Sequence, residues 1–516
     1  MKNICKTIWV IFFVLFNCNI SAQNKKIIVF GSSVASGWVT NYQKQYDMQN
    51  GWAFRLQRYL NTKGWEVTNS SKPGDNTNSA LKRIREDLLI KKPEIAIISL
   101  SLSNEGLTDL PSEEVINGFI AGIKAITDSC IKYGIKPILG YCYANNDYNK
   151  EHFEAIKNAN TRLEQFGYPC IDFLGAFSDE EGHFINGHTF EGDHPDNYGH
   201  EEMYLSIVPS IFDAIFEGKN IHSSIEDTNY LRIGINEKIN SFYYVPDNIL
   251  HSFSIILEMQ EYKDFRINIK NTKTNILVNF DGIECKYLRN NKLIAKKKCL
   301  NGKHQVALVY SNCMEKLAVY LDGIPVIMLH EKLEPIQFSF SSKSVAACKN
   351  LFIYRSALSV NNLINLDNNK IISASLDLYS DLGKSIQNLA LSNTALYLSD
   401  KQARDKSDIL KILIQNADIE RKKTPIFKEK KPIRLSTQIL NKYIGSYFSD
   451  RKEEMRVYLK DGKMVLNAFG NEAELIPESK NVFFIRYPGE ITITFNETGN
   501  NLDLNLMGNH IIADRK

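Results

Sequence analysis

The 516-residue chain has no charge excess of either sign: 62 Lys and Arg stand against 59 Asp and Glu, a net +3 at neutral pH. Nucleic-acid binders draw on a marked basic excess, so no nucleic-acid partner is expected. Cysteine is scarce, with nine in all, and the nine form no CxxC pair and no Cys/His spacing suited to a metal. No metal or cofactor is therefore expected. Internal repeats and low-complexity tracts are missing as well. Beyond the first two dozen residues no apolar run is long enough to cross a bilayer. Hydrophobic residues at 43% and charged residues at 23% belong to a folded globular chain and exclude a disordered or collagen-like one. At roughly 150 residues per domain the length predicts about three domains.

The first 22 residues read as an address. Lys2 and Lys6 precede the continuous apolar run Ile8 to Phe16, and the small residues Ser21 and Ala22 follow. That is the pattern of a secretory signal peptide cleaved after Ala22, too short to be a comfortable membrane span. The expected destination is outside the cell or the periplasm, with no stable membrane span in the mature chain. Cys5 and Cys18 would leave with the leader. Seven cysteines would remain, an odd number, among which Cys285 and Cys299 flank a hairpin turn at Asn290-Asn291 and could pair across strands. Mostly buried free thiols are the equal alternative.

Three periodicities divide the remainder. Residues 25–219 alternate short apolar strands with amphipathic helices: strands at Lys26 to Phe30, Trp65 to Asn69, Glu94 to Leu102, Pro137 to Tyr143 and Cys170 to Leu174, helices between them, and a closing helix from His200 to Phe216. Strict alternation with fully apolar strands predicts an α/β domain with a parallel sheet covered on both faces. Residues 220–380 switch to alternating strands with Asp-Gly turns and predict an antiparallel β-sandwich. Residues 381–432 read as a helix followed by a basic linker with Pro425 and Pro432. Residues 433–516 return to short strands with Gly turns and predict a small β-barrel-like domain.

Four short blocks carry chemistry, each just beyond a strand of the parallel sheet, where ligands of such sheets bind. Gly31-Ser32-Ser33 places a serine at a strand-to-helix turn, able to expose its hydroxyl and aim its backbone N–H at a developing oxyanion. Asn69 to Asp75 includes Gly74, which permits close backbone approach to a ligand. Ser99 to Gly106 includes Asn104, whose amide can donate to an oxyanion. Glu191-Gly192-Asp193-His194-Pro195 puts carboxylates within one tight loop of a histidine that can serve as general base. Each block alone is an ordinary turn or loop. Together they supply nucleophile, two oxyanion donors and an acid–base pair in chain order.

On these residues, 25 to 217 resemble the SGNH hydrolase superfamily, also called GDSL esterases. The resemblance implies that the parallel sheet is of the flavodoxin-like type. It implies an acyl-ester hydrolase with Ser33 as nucleophile and His194 as base. It also implies an oxyanion hole of Ser33, Gly74 and Asn104. Two departures stand out. Ser32 replaces the family's aspartate and bears on loop support. Glu191 replaces the triad aspartate; its spacing of three from His194 favours it, and Asp193, which would more naturally point away or cap the next turn, is the competitor. Trp38, Trp52 and Tyr143 fall near the same sheet edge, where aromatics either stack on sugar or pack the rim. His183, His188 and His200 lack a partner pattern and read as surface or structural residues.

Gly302 to Tyr310, Leu317 to Gly323 and Leu351 to Ser359 resemble a concanavalin-A-like, laminin-G-type jelly roll. Leu440 to Tyr447 with Phe483-Phe484 is similar to lipocalin-like domains appended to secreted hydrolases. The combined reading is a secreted serine esterase removing acyl groups, acetyl above all, from a glycan. Two others stand beside it: a lysophospholipase- or thioesterase-type lipid esterase, and a catalytically silent glycan-binding protein. The expected partner is an acylated glycan or another small ester. The oligomeric state is not legible.

Overall fold

The computed structural model describes residues 25–38, 48–185, 188–190, 192–221, 229–299, 302–366, 368–383, 386–423, 432–450, 453–460, 462–485, 491–506 and 509–516. The leader segment and most of the basic run after Arg421 lie outside them.

The first domain is built on five parallel strands: β1 (Lys26–Gly31), β2 (Glu66–Asn69), β3 (Ile95–Ser99), β4 (Lys136–Gly140) and β5 (Cys170–Ile171), in the order β2-β1-β3-β4-β5. This is the flavodoxin-like order, with β1 at the point where the winding reverses. The strands are apolar on both faces because helices cover both. Ile27, Val29, Ile95 and Ile97 face one buried cluster, and Ile28, Phe30, Ala96 and Ile98 the other.

The helices follow the expected segments: α1 (Ser33–Ser36), α2 (Trp52–Asn61), α3 (Thr77–Asp87), α4 (Ser112–Lys132) and α5 (Lys150–Glu164), then α6 (Asn197–Leu205) and α7 (Ile211–Phe216). α3 and α5 start at capping boxes, in which Asn76 and Asn149 accept from the N–H groups of Ser79 and His152.

Two expected elements differ. The fifth strand stops at Ile171, because Asp172 accepts from Gly175 N–H at 2.8 Å and caps a short helix, Phe173–Ala176. The single helix expected from His200 to Phe216 is two, since Pro209 lies in the break and has no N–H to continue the first.

Two seven-stranded antiparallel sheets follow and enclose a common core of residues such as Phe253, Ile267, Phe338 and Ile353. Asn290 and Asn291 take φ of 48° and 65° between the strands Glu284–Arg289 and Lys292–Lys298, the two left-handed positions of a tight hairpin. Cys285 and Cys299 do not pair: both are buried free thiols, as are most of the seven described cysteines. The register sets Cys285 opposite Lys297, two residues short of Cys299.

This sandwich is fused to the first domain. Ser373 extends the parallel sheet beside Cys170, and Val208 N–H donates to Ala374 at 2.8 Å. Arg355 is fully buried, pairs with Asp377 of the sandwich at 2.7 Å and donates across to the Leu205 carbonyl at 3.4 Å. The helix α8 (Asp400–Lys423) lies along the sandwich and buries Ala403, Leu410 and Ile414 against Val245, Ile249, Ile336 and Leu205.

The last domain is a nine-stranded antiparallel sheet. Its edge strands, Asn471–Glu474 and Ile476–Pro477, are separated in the chain by Leu475 alone. The sheet therefore curls round until its two edges meet, and Tyr447, Met455, Phe483 and Phe495 fill the interior. Among the described residues no helix is long and apolar enough to cross a membrane.

Arg355→Ala would leave the buried Asp377 carboxylate without its cation. The expected loss is about 3–5 kcal/mol of stability, read from chemical denaturation monitored by intrinsic fluorescence.

Candidate active site

β1 sits between β2 and β3, with Val29 opposite Asn69 and Gly31 opposite Ser99. The loops that leave these three strands therefore emerge side by side at one sheet edge. They carry Ser33, Gly74 and Asn104. Gly31 is required at the crossing: a Cβ there would lie 2.1 Å from the Ser99 carbonyl oxygen. Ser33 opens α1, a single turn, so its N–H has no intrahelical partner.

Hydrogen bonds tie the loops together. Asn69 donates to the Ala35 carbonyl at 2.9 Å, and Asn104 donates one N–H to the Asp75 carbonyl at 2.9 Å, leaving its second N–H. Gly74 takes φ of +80° with open space at its Cβ position, so its backbone is uncovered.

His194 arrives from the far end of the domain. A hairpin of two short strands, Thr189–Phe190 against His194–Pro195, presents it. Its Nε2 lies 2.9 Å from Ser33 Oγ, a contact spanning 161 positions. Its Nδ1 lies 2.8 Å from Asp193 Oδ1. The expectation that Asp193 turns away does not hold. Gly192, at φ of +95°, bends the chain, and the cap of the next helix is Asp196, which accepts from Gly199 N–H at 3.0 Å. Glu191, the carboxylate favoured by spacing, lies outside the described residues. The His194 side chain is 11% exposed and that of Asp193 40%, so the ring is enclosed while its carboxylate meets solvent.

A hydroxyl, an imidazole and a carboxylate hydrogen-bonded in this order can pass the hydroxyl proton to the ring while the carboxylate orients it. With Ser33 donating to Nε2, the neutral ring carries its own proton on Nδ1 and donates it to Asp193. Among the described residues no group of three or more His, Cys, Asp and Glu could hold a metal ion.

Ser32, where the resemblance expects aspartate, is wholly buried and gives α1 no side-chain cap. Trp52 is buried against Phe173 at 4.9 Å and Tyr143 is buried beside Phe184, so neither offers a ring face to a ligand. Trp38 is half-buried. His183 faces Asp179, and His188 stacks on Tyr198 at 4.2 Å with Asp196 at its Nδ1. His200 is fully buried; its Nδ1 accepts from Trp52 N–H at 3.3 Å. Burial, with help from the nearby charges of Arg55 and His194, pushes its pKa down to about 3.

Two supporting residues carry no motif. Arg83 on α3 donates to the carbonyls of Ser70 (2.7 Å) and Gly31 (3.3 Å), pairs with Asp75, and lies over the Phe30 ring at 4.1 Å. One guanidinium thus pins the first two loops to each other. Glu105 accepts from Thr77 N–H at 2.6 Å and so joins the Asn104 loop to the start of α3. Burial raises its pKa, against the opposing pull of the Thr77 donors. An arginine on a half-buried helix face and a glutamate after an asparagine give no signal until the loops are seen together.

Residues 29–202 match the GDSL-like Lipase/Acylhydrolase family. The protein is a carboxylic ester hydrolase. Its GDSL-type domain is the region built on the parallel sheet. Among curated proteins none matches the chain. Solved structures similar to the hydrolase region include a GDSL-like lipase from Bacteroides thetaiotaomicron at 18% identity, covering 35% of this chain and 85% of that one, with a TM-score of 0.28. A psychrotrophic esterase from a Pseudoalteromonas species is 16% identical over 35% of this chain and 92% of its own, with a TM-score of 0.29. An acetyl xylan esterase from Geobacillus stearothermophilus is 14% identical over 35% and 91%, with a TM-score of 0.30.

The hydrolase should be acid-sensitive through His200. The unfolded chain binds a proton at this residue below its ordinary pKa of 6.5, whereas the fold refuses it down to about 3. Stability is therefore complete above pH 6.5 and falls by about 1.4 kcal/mol per pH unit through that window. Thermal unfolding of His200→Asn across pH 4–7 should show a flatter dependence than the parent protein.

Proposed function

We propose that this hydrolase is an exported serine esterase that removes small acyl groups, acetyl above all, from carbohydrate. The observation that carries the catalytic part is the 2.9 Å contact between Ser33 Oγ and His194 Nε2. His194 takes the Ser33 proton as Oγ attacks the ester carbonyl. The Ser33 and Gly74 N–H groups and the second Asn104 amide hydrogen receive the oxyanion. The imidazolium, steadied by Asp193 at Nδ1, returns its proton to the leaving alcohol. Water then repeats the cycle on the acyl-enzyme and releases the acid.

The carbohydrate part rests on two features: a leader-like start that directs the enzyme to where polysaccharides are met, and a β-sandwich of concanavalin-A-like pattern fused to the catalytic domain. The last domain, similar to lipocalin-like appendages, is read as an accessory packing unit.

Acetate release from acetylated xylan and pectin, set against fatty-acid release from lysolipid, tests the substrate class; release from lysolipid alone would replace the glycan reading. Ser33→Ala should lose hydrolysis of 4-nitrophenyl acetate and labelling by a fluorophosphonate. Asn104→Ala should lower kcat by about 100- to 1000-fold. Asp193→Asn should be far more damaging than Glu191→Gln, and the reverse order would hand the orienting role to Glu191.

A further inference from the structure

Helix α6 starts three residues after His194 and carries two consecutive glutamates that are both buried, Glu201 at 6% and Glu202 at 2% exposure. Buried carboxylates are costly unless paired and hydrogen-bonded. Most of their partners come from outside the region that matches the hydrolase family.

Glu201 receives the Arg421 guanidinium from the end of α8, through Nε at 3.0 Å and Nη2 at 2.9 Å. On its other side lies Arg55, which also donates to the Asn197 side chain at 3.1 Å, in the first turn of α6. Glu202 receives His251 Nδ1 at 2.7 Å and the Asn312 amide at 2.9 Å, both from the sandwich. The same Asn312 amide donates to Tyr198, one residue further into α6 than Asn197. The two arms meet, because His251 Nε2 accepts from Arg421 at 3.0 Å. Burial pushes the Glu201 carboxyl up, and Arg421 and Arg55 more than reverse this.

We infer that Arg421, His251 and Asn312 are positioning residues for ester cleavage: by giving the two glutamates of α6 a counter-charge and hydrogen-bond donors they hold that helix, and the His194 loop in front of it, against Ser33. The inference rests on the reading of Ser33 and His194 given above. The sandwich and α8 are then parts of the catalytic apparatus and not separable attachments. α6 is only nine residues long; Gly199, His200, Met203 and Leu205 are buried beside the two glutamates, but among the described residues of the first domain only Arg55 stands against Glu201 and no donor reaches Glu202. A shift of α6 moves the imidazole from the hydroxyl, and small misplacements of reacting groups carry large rate penalties.

The test uses the full chain. Arg421→Ala should lower kcat for 4-nitrophenyl acetate by about 10- to 100-fold with KM nearly unchanged, the signature of a displaced base. Arg421→Lys should recover much of the rate. Asn312→Ala reaches the same helix through its other glutamate and should show the same kcat-only loss, should Arg421→Ala fail to fold. Lys370→Ala is the comparator: it removes the Glu164 pair that joins the same two domains at α5, near the β5 edge of the sheet. It should reduce the thermal midpoint and leave kcat in place. A parent-like kcat in Arg421→Ala and Asn312→Ala would overturn the inference, as would a kcat loss in Lys370→Ala matching theirs. If the parent protein neither cleaves esters nor reacts with a fluorophosphonate at Ser33, the esterase reading falls first and takes the inference with it.

Discussion

A buried histidine loop must be delivered to a serine 161 positions earlier in the chain, and the architecture of the first half of the protein follows from that constraint. The parallel sheet contributes by placing β1 between β2 and β3, so that loops distant in sequence leave adjacent strands at one edge. The backbone crossing at Gly31 leaves no room for a side chain, which sets how closely the serine turn follows the sheet. Arg83 and Glu105 then lock the three loops by hydrogen bonds to carbonyls and a helix start, contacts that no single loop could make for itself. The catalytic geometry is thus imposed from behind, by groups that touch neither substrate nor each other's motif.

The same logic extends outward through α6. A helix with two buried glutamates would be a liability in an isolated domain, since desolvating a carboxylate without a counter-charge is among the larger penalties a fold can carry. Here the counter-charge comes from α8 and further hydrogen-bond donors from the sandwich. The chain between the family-matching region and Arg421 is therefore knitted into the first domain at several independent points: Arg355 with the Leu205 carbonyl, Lys370 with Glu164, and the extension of the parallel sheet by Ser373. Function divides unevenly along the chain. The groups of the proposed site fall in four short loops, and Arg421, His251 and Asn312 from beyond the family-matching region reach the helix behind one of them.

Period and turn chemistry made the elements legible. Continuous apolar runs marked the parallel strands, and Asn290-Asn291 marked a hairpin because few other residues tolerate two left-handed positions in succession. The structure departs from the apolar pattern where local backbone chemistry overrides it. Asp172 converted the end of an apolar run into a helix start, and Pro209 divided one amphipathic stretch into two helices. For Trp52 and Tyr143, stacking on sugar or packing were both open from the sequence, and burial assigns them to packing. Position along a chain says which edge of a sheet a residue is near, not which way its ring faces.

By itself the sequence determined which groups could react: a serine after the first strand, a histidine with neighbouring acids after the fifth, and an amide and a glycine between them, because strand–helix alternation forces all of these loops to one edge. Which carboxylate stands at the imidazole was decided only in three dimensions, where the bend at Gly192 brings Asp193 to within 2.8 Å of Nδ1. The roles of Arg83, Glu105 and Arg421 were also decided there. Each acts across loops or domains whose proximity depends on how whole elements pack, and local pattern does not encode the direction in which a long charged side chain reaches.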